Sequence, residues 1–326
     1  MQTQPSGLDA MTELTEFSAR AAARHGSSAP IKPGNRIKFH WPPHPVSWEY
    51  HVHPTDWTGE TTLEAVGETF PVQVARTRYG VFGRCEPLWL EAKGDDEPDM
   101  LDAMRDAAEP LFARQFTIAA TLEQSGRFDG HIRDLDRLSL LKLLYCEDRD
   151  VAHEARVEIE SHARDPFWLP CLIHVLNDRV HPHRRIAQWC VLDLFEGLPT
   201  FAGDAETSDA VDAIRQLIWD AEDDFARTIF KAGVVLGGHL PHLYGGPVLL
   251  SCLQAPSAIG RRSAIHGLFH VAEWHPEMRP RIVDALRTVA ATEPVAEIRE
   301  YATRMMEDIE AEANDHVLEP VLPHEP

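Results

Sequence analysis

The chain has 326 residues, 44% hydrophobic and 25% charged, which is length for one large or two modest domains with a substantial core. Its 31 Lys plus Arg against 52 Asp plus Glu give a formal charge of −21, a field that argues against nucleic-acid phosphates and anionic membrane as partners. Five widely spaced cysteines without a CxxC pair argue against a disulfide framework or a zinc knuckle, and predict buried, reduced thiols in a cytoplasmic protein.

Residues 1–35 are polar and rich in Ala, Ser and Gly, and read as a flexible arm holding a short helix from Met11 to Arg24. The following stretch, Ile37 to Trp57, carries four histidines (His40, His44, His51, His53) and three tryptophans. On a strand, His51 and His53 project on one face, which makes them candidate metal ligands; the alternative is that these rings wrap a domain and are buried. Thr61–Val66, Thr69–Arg78 and Val81–Ala92 have strand composition, with Phe70, Val72 and Val74 alternating and Tyr79-Gly80 supplying a turn. After Gly94 the period changes. An acidic opening with Pro98 starts a helix, Pro110 is expected to interrupt it, and Leu111 to Glu123 forms a second. Residues 36–130 therefore read as a small α+β domain.

From Leu135 to Glu312 the pattern is helix after helix. Ala302, Ala264, Ala226, Ala187 and, more faintly, Ala155 recur at intervals of roughly 38 residues, most with apolar or small residues three, four and seven positions later. Those offsets share one side of a helix, and a second amphipathic helix precedes each, so the unit is a helical hairpin. The sequence Asp178, Arg184, Ala187, with Arg299 and Ala302 in the last copy, resembles HEAT-type (armadillo-like) repeats over about residues 135–312. The resemblance implies a mainly α protein: a HEAT-like α-α superhelix, or solenoid, over residues 131–312, with the second helices lining a concave side. Residues 313–326 complete it as an acidic tail.

Positions two and six residues after each repeated alanine point away from the buried stripe. They are Trp189 and Asp193, Thr228 and Ala232, His266 and His270, and Arg304 and Asp308. A Trp beside charged and imidazole groups makes a candidate recognition strip, unless Trp189 merely packs against the neighbouring repeat. His266 and His270, four apart, are also candidate metal ligands if a third group joins them. Basic turns at Asp178–Arg185 and Arg261-Arg262 suggest either a cationic ridge through Arg185 and Arg262, or a structural ladder in which each arginine meets a neighbouring acid. Gly237–Pro247 reads as a glycine-rich loop between repeats, without the ending of a phosphate loop.

Some HEAT-like proteins are enzymes. Deoxyhypusine hydroxylases hold two irons with several His-Glu pairs, but here His153-Glu154 is the one such pair in a repeat helix, and His324-Glu325 lies in the tail. HEAT-like DNA glycosylases use a basic face, at odds with −21. The expected function is thus a non-catalytic, protein-binding scaffold or regulatory adaptor, with another protein as partner and no cofactor. The rival expectation is a metal-dependent enzyme or ligand-binding protein with a His-rich site where the N-terminal domain meets the solenoid. A third is an inhibitor that mimics nucleic-acid charge.

Overall fold

A computed structural model describes residues 6–25, 52–88, 90–198, 204–222, 226–240 and 242–315. Packing divides the chain into two compact units: residues 34–135 with 146–154, and residues 1–33 with 136–145 and 155–326. No described helix is long and apolar enough to cross a membrane, and all five cysteines are free and buried.

The smaller unit holds an antiparallel meander, β1 (Trp57–Ala65), β2 (Glu68–Thr77), β3 (Gly80–Cys85) and β4 (Leu90–Gly94), paired in sequence order. The run expected as one strand from Val81 to Ala92 is two, separated by a helical turn at Glu86–Leu88. At the first hairpin Val66 and Gly67 both have positive φ, the backbone twist that joins right-twisted strands in two residues. Helix α1 (Gly7–His25) belongs to the other unit. Helix α2 (Glu97–Thr121) crosses the sheet and buries Met100, Met104 and Ala108 against Leu63, Phe70, Val72, Val74 and Leu90. The break expected at Pro110 does not occur. Asp96 caps the N-terminus through the Asp99 amide, and Gln115 donates to the Pro87 carbonyl at 3.0 Å. With both halves anchored, the helix carries the loss of one internal amide donor. His53, in this unit, caps a short turn by bonding Thr55, and so serves backbone geometry; His51 lies outside the described residues.

The larger unit opens with α3 (Arg137–Leu143), and α4 (Arg149–Ser161) straddles the boundary between the two units; an array of helical hairpins follows, α5 (Trp168–Leu176) with α6 (Arg184–Phe195), α7 (Asp204–Trp219) with α8 (Ala226–Val234), α9 (His242–Cys252) with α10 (Ala258–Trp274), and α11 (Arg279–Thr292) with α12 (Ala296–Asp315). First helices α3, α5, α7 and α9 pack in series, as do second helices α6, α8, α10 and α12, so the array has two layers with the core between them. Ala155, Ala187, Ala264 and Ala302 are buried as the repeat requires.

Helix α1, expected as part of a flexible arm, is docked on α3 and α5 with Ala10, Leu14, Phe17 and Ala21 buried. Its apolar stripe covers α3 and α5, the task of a capping helix at the end of a repeat array. Ser18 donates to Asp178, and Phe17 packs against Tyr145 and stacks on His181. Burial first, then the neighbouring Asp178 carboxylate, keeps the Tyr145 phenol protonated far above its ordinary range. Ser18→Ala removes a charge-assisted donor from a half-buried carboxylate, and is expected to cost about 1–2 kcal/mol. Thermal unfolding checks this.

The segment expected as a Gly237–Pro247 loop is largely helical. α8 runs on through a wider, five-residue-bonded turn over Val235–His239, and α9 begins at His242 with Pro247 inside it.

Candidate binding face

The turns between paired helices explain what the repeated arginine does. A helix ends with carbonyls that lack an internal partner. Arg261 donates through Nη1 to the Ala255 and Pro256 carbonyls, both at 2.9 Å, and Arg299 does the same to Glu293 and Pro294 at 2.7 and 3.0 Å. Gln188 serves the second repeat, donating to Leu176 and Asp178 carbonyls at 2.9 and 3.0 Å. The remaining cations reach across repeats: Arg184 to Glu222 at 2.7 Å, Arg179 to Asp220 at 3.2 Å, and Arg261 to both oxygens of Glu293 at 2.7 Å. These bonds are a ladder. Arg185, expected either on a cationic ridge or in such a ladder, is 1% exposed and donates to Gln188 Oε1. His181 and His183 are buried as well.

The exposed strip differs from the expected one in its third member. Thr228 and Ala232, expected to point outward, are both 0% exposed, whereas Ala226 is exposed. Thr228 donates to the Arg185 carbonyl as Ser263 donates to the Ile229 carbonyl, so Ile229 takes the place in α8 that Ala264 takes in α10. Two positions beyond Ile229 stands Lys231. Its ammonium lies 4.8 Å from the Trp189 ring centroid and pairs with Asp193 and Glu196. Trp189 and Asp193 thus lie together, joined by a lysine that the repeat spacing missed.

The strip continues through α10 and α12. Phe230 stacks on His266 with centroids 4.1 Å apart. The Tyr301 hydroxyl is 2.9 Å from His266 Nδ1, and His266 Nε2 is 3.2 Å from His270 Nε2. His270 Nδ1 is 2.6 Å from Glu273 Oε2. One set of donors satisfies all three contacts with neutral rings: the phenol donates to His266 Nδ1, His266 Nε2 donates to His270 Nε2, and His270 Nδ1 donates to Glu273. Neutrality is enforced at His266. Desolvation, then the neighbouring His270 and Arg262, push its pKa down to about 4.

Arg262 lies over Phe230 and Tyr301, at 5.9 and 5.2 Å from the ring centroids, and Arg304 lies over Tyr301 at 5.1 Å. Among the described residues neither guanidinium has a carboxylate within ion-pair distance, unlike the ladder arginines. Both are exposed. Trp274, one turn beyond His270, is 69% exposed. The structure therefore brings together Trp189, Asp193, His266, His270, Arg262 and Arg304, adds Phe230, Lys231, Glu273 and Tyr301, and buries Arg185 away from them; His53 belongs to the other unit. No group of three or more His, Cys, Asp or Glu side chains suited to a metal occurs among the described residues.

No protein-family model matches the chain, and no curated protein matches it. Solved structures that align with it include two engineered proteins. Computationally designed armadillo repeat proteins for modular peptide recognition share 14% identity over 64% of this chain and 95% of theirs, with a TM-score of 0.32. An engineered protein shares 17% identity over 64% of this chain and 91% of its own, with a TM-score of 0.31.

Proposed function

We propose that the chain is a protein-binding scaffold, a HEAT-type α-α superhelix whose second helices form a concave surface that holds an extended, acidic segment of a partner protein. The observation that carries this reading is the pair Arg262 and Arg304, both over the Tyr301 ring, two exposed guanidiniums without a carboxylate partner among the described residues in a chain of charge −21. Guanidinium forks bind carboxylates through two parallel bonds, and their stacking on Tyr301 restricts them before a partner arrives. Trp189, Phe230 and Trp274 add aromatic area of the kind that anchors interfaces. In this reading Asp193, Lys231, His266 and His270 set the polar specificity of the surface. The same reading takes residues 36–130 as an accessory α+β domain, residues 131–312 as the repeats and residues 313–326 as an acidic tail. It also takes the protein as cytoplasmic, and nucleic acid as an unfavoured partner.

Selection of a random-peptide display library on the immobilised full chain tests this. Enriched peptides should combine Asp or Glu with an aromatic residue. The double variant Arg262→Glu/Arg304→Glu should bind them at least tenfold more weakly with an unchanged melting temperature, since both side chains are exposed. Enrichment of basic peptides, or binding indifferent to the charge reversal, would overturn the reading.

A further inference from the structure

We propose that His266 and His270 form a transition-metal site, taking one divalent ion of the zinc, nickel or copper class through their two Nε2 atoms. The inference goes beyond the docking reading and does not depend on it.

Three observations converge. The two Nε2 atoms already lie 3.2 Å apart on adjacent turns of α10. An ion bound about 2.1 Å from each would subtend an angle of about 100°, between the octahedral and tetrahedral values; it would lie about 40° off the line joining the two nitrogens, so each ring turns by about that much from its hydrogen-bonding direction to accept it. The far nitrogen of each ring is already held: His270 Nδ1 by the Glu273 carboxylate at 2.6 Å, and His266 Nδ1 by the Tyr301 hydroxyl at 2.9 Å. Outer-shell partners of this kind fix tautomer and ring orientation at metal-binding histidines, and a carboxylate raises the basicity of the ring it bonds. His266 is also clamped by Phe230 at 4.1 Å, which limits the rotamer freedom lost on binding.

The proton balance closes without a co-reactant. In the metal-free arrangement one proton sits between the two Nε2 atoms, on His266. Metal binding needs both lone pairs, so that proton moves to His266 Nδ1 and is donated to the Tyr301 oxygen, whose own hydrogen rotates away. His270 keeps its proton on Nδ1 toward Glu273. Imidazole ligation selects the borderline metals over magnesium or calcium. No third protein ligand converges on the pair among the described residues, so water completes the coordination and leaves open positions.

Equilibrium dialysis of the full chain against zinc alone, near neutral pH, tests the site, with the variants His266→Gln, His270→Gln and Glu273→Gln. Other histidines can hold zinc, so the reading is a difference between proteins. Each histidine variant should lose one equivalent relative to wild type, and Glu273→Gln should keep it with about tenfold weaker affinity and an unchanged melting temperature. His270 and Glu273 are partly exposed, so those two variants report even if His266→Gln unfolds. Copper loaded at one equivalent should show two nitrogen ligands by electron paramagnetic resonance, and fewer in His270→Gln. Equal zinc stoichiometry in wild type and His270→Gln would overturn the proposal. Peptide binding measured in chelator reports on the docking surface separately.

Discussion

Replacing Gly267 with alanine is expected to lower the melting temperature of the helical unit by about 6–12 °C, a loss of about 3 kcal/mol. Gly267 lies in α10 where that helix crosses α8, and a Cβ there would sit 2.5 Å from the Gly233 carbonyl oxygen and 2.8 Å from a Leu249 methyl. On the other side of the crossing, a Cβ at Gly237 would collide with the Gly267 carbonyl, and one at Gly233 with the Ser263 carbonyl. Apart from the Leu249 methyl, these obstacles are backbone atoms of packed helices, which cannot swing aside as side chains do. The helices must separate, and separation opens the Ser263 to Ile229 bond at 2.6 Å and loosens the buried stripe around it.

An opposing effect exists and is smaller. Alanine is favoured over glycine within a helix by roughly 1 kcal/mol, so the clash must exceed that before any loss appears. Gly238, one residue beyond Gly237, isolates the two contributions. A Cβ there meets only the His270 side chain, at 3.8 Å, an ordinary contact. Gly238→Ala is therefore expected to be neutral or to raise the melting temperature slightly, while Gly267→Ala lowers it. Scanning calorimetry of the two variants checks both signs. A similar melting temperature for both would show that the crossing tolerates a methyl.

This crossing also explains why the sequence revealed the repeat but misplaced one copy. Ala187, Ala264 and Ala302 are buried small residues at regular spacing, so burial and periodicity agree, and arithmetic finds them. In α8 the close approach is made by Gly233 and Gly237, and the equivalent of the buried alanine is Ile229. An unequal linker moved the frame by three residues, and Ala226 happened to fall near the expected place. A search for small residues at four-residue spacing, Gly233 with Gly237 and Ser263 with Gly267, would have found the true frame, because close helix crossings need such pairs whatever the repeat length.

Helical phase alone predicted an outward position for Arg304, which is exposed, and for Trp189 and His266, which are half-buried. The strip was not legible where the answer depends on partners. Arg185 and Arg262 look alike in sequence, each beside another arginine at a repeat turn, yet one is buried on Gln188 and the other lies open over Tyr301. Position at the helix start decides this: Arg262 faces α12, while Arg185 follows a buried His183 whose ring is within 3.0 Å of the Tyr145 carbonyl oxygen. Likewise Pro110 looked like a break because a proline removes one amide donor. The decisive term was the packing of α2 on either side of it, against the sheet and at Gln115.

The same contrast between buried and open arginines sets the second large effect, at Arg261. Its guanidinium is committed three ways: to both oxygens of Glu293 at 2.7 Å, and to the carbonyls of Ala255 and Pro256. Glu293 is 7% exposed and also accepts the Val295 amide at 3.1 Å. Arg261→Ala strands that carboxylate and two turn carbonyls together, so a loss of about 3–5 kcal/mol is expected, whereas the exposed pair Arg287 with Asp284 should be worth well under 1 kcal/mol. The pH dependence carries the same signature. The bonds from Arg261, then the Val295 amide and the Arg261 and Arg299 charges, outweigh burial and hold the Glu293 carboxyl below the ordinary glutamate value. A depressed folded-state pKa contributes stability that is full above the unfolded value and is lost as pH falls through the folded one. Wild type should therefore lose this share of stability only in acid, while Glu293→Gln should start lower near neutral pH and lose less on acidification. Unfolding by urea at several pH values measures both slopes, and parallel slopes would mean that the ladder rung is not what holds α10 to the turn between α11 and α12.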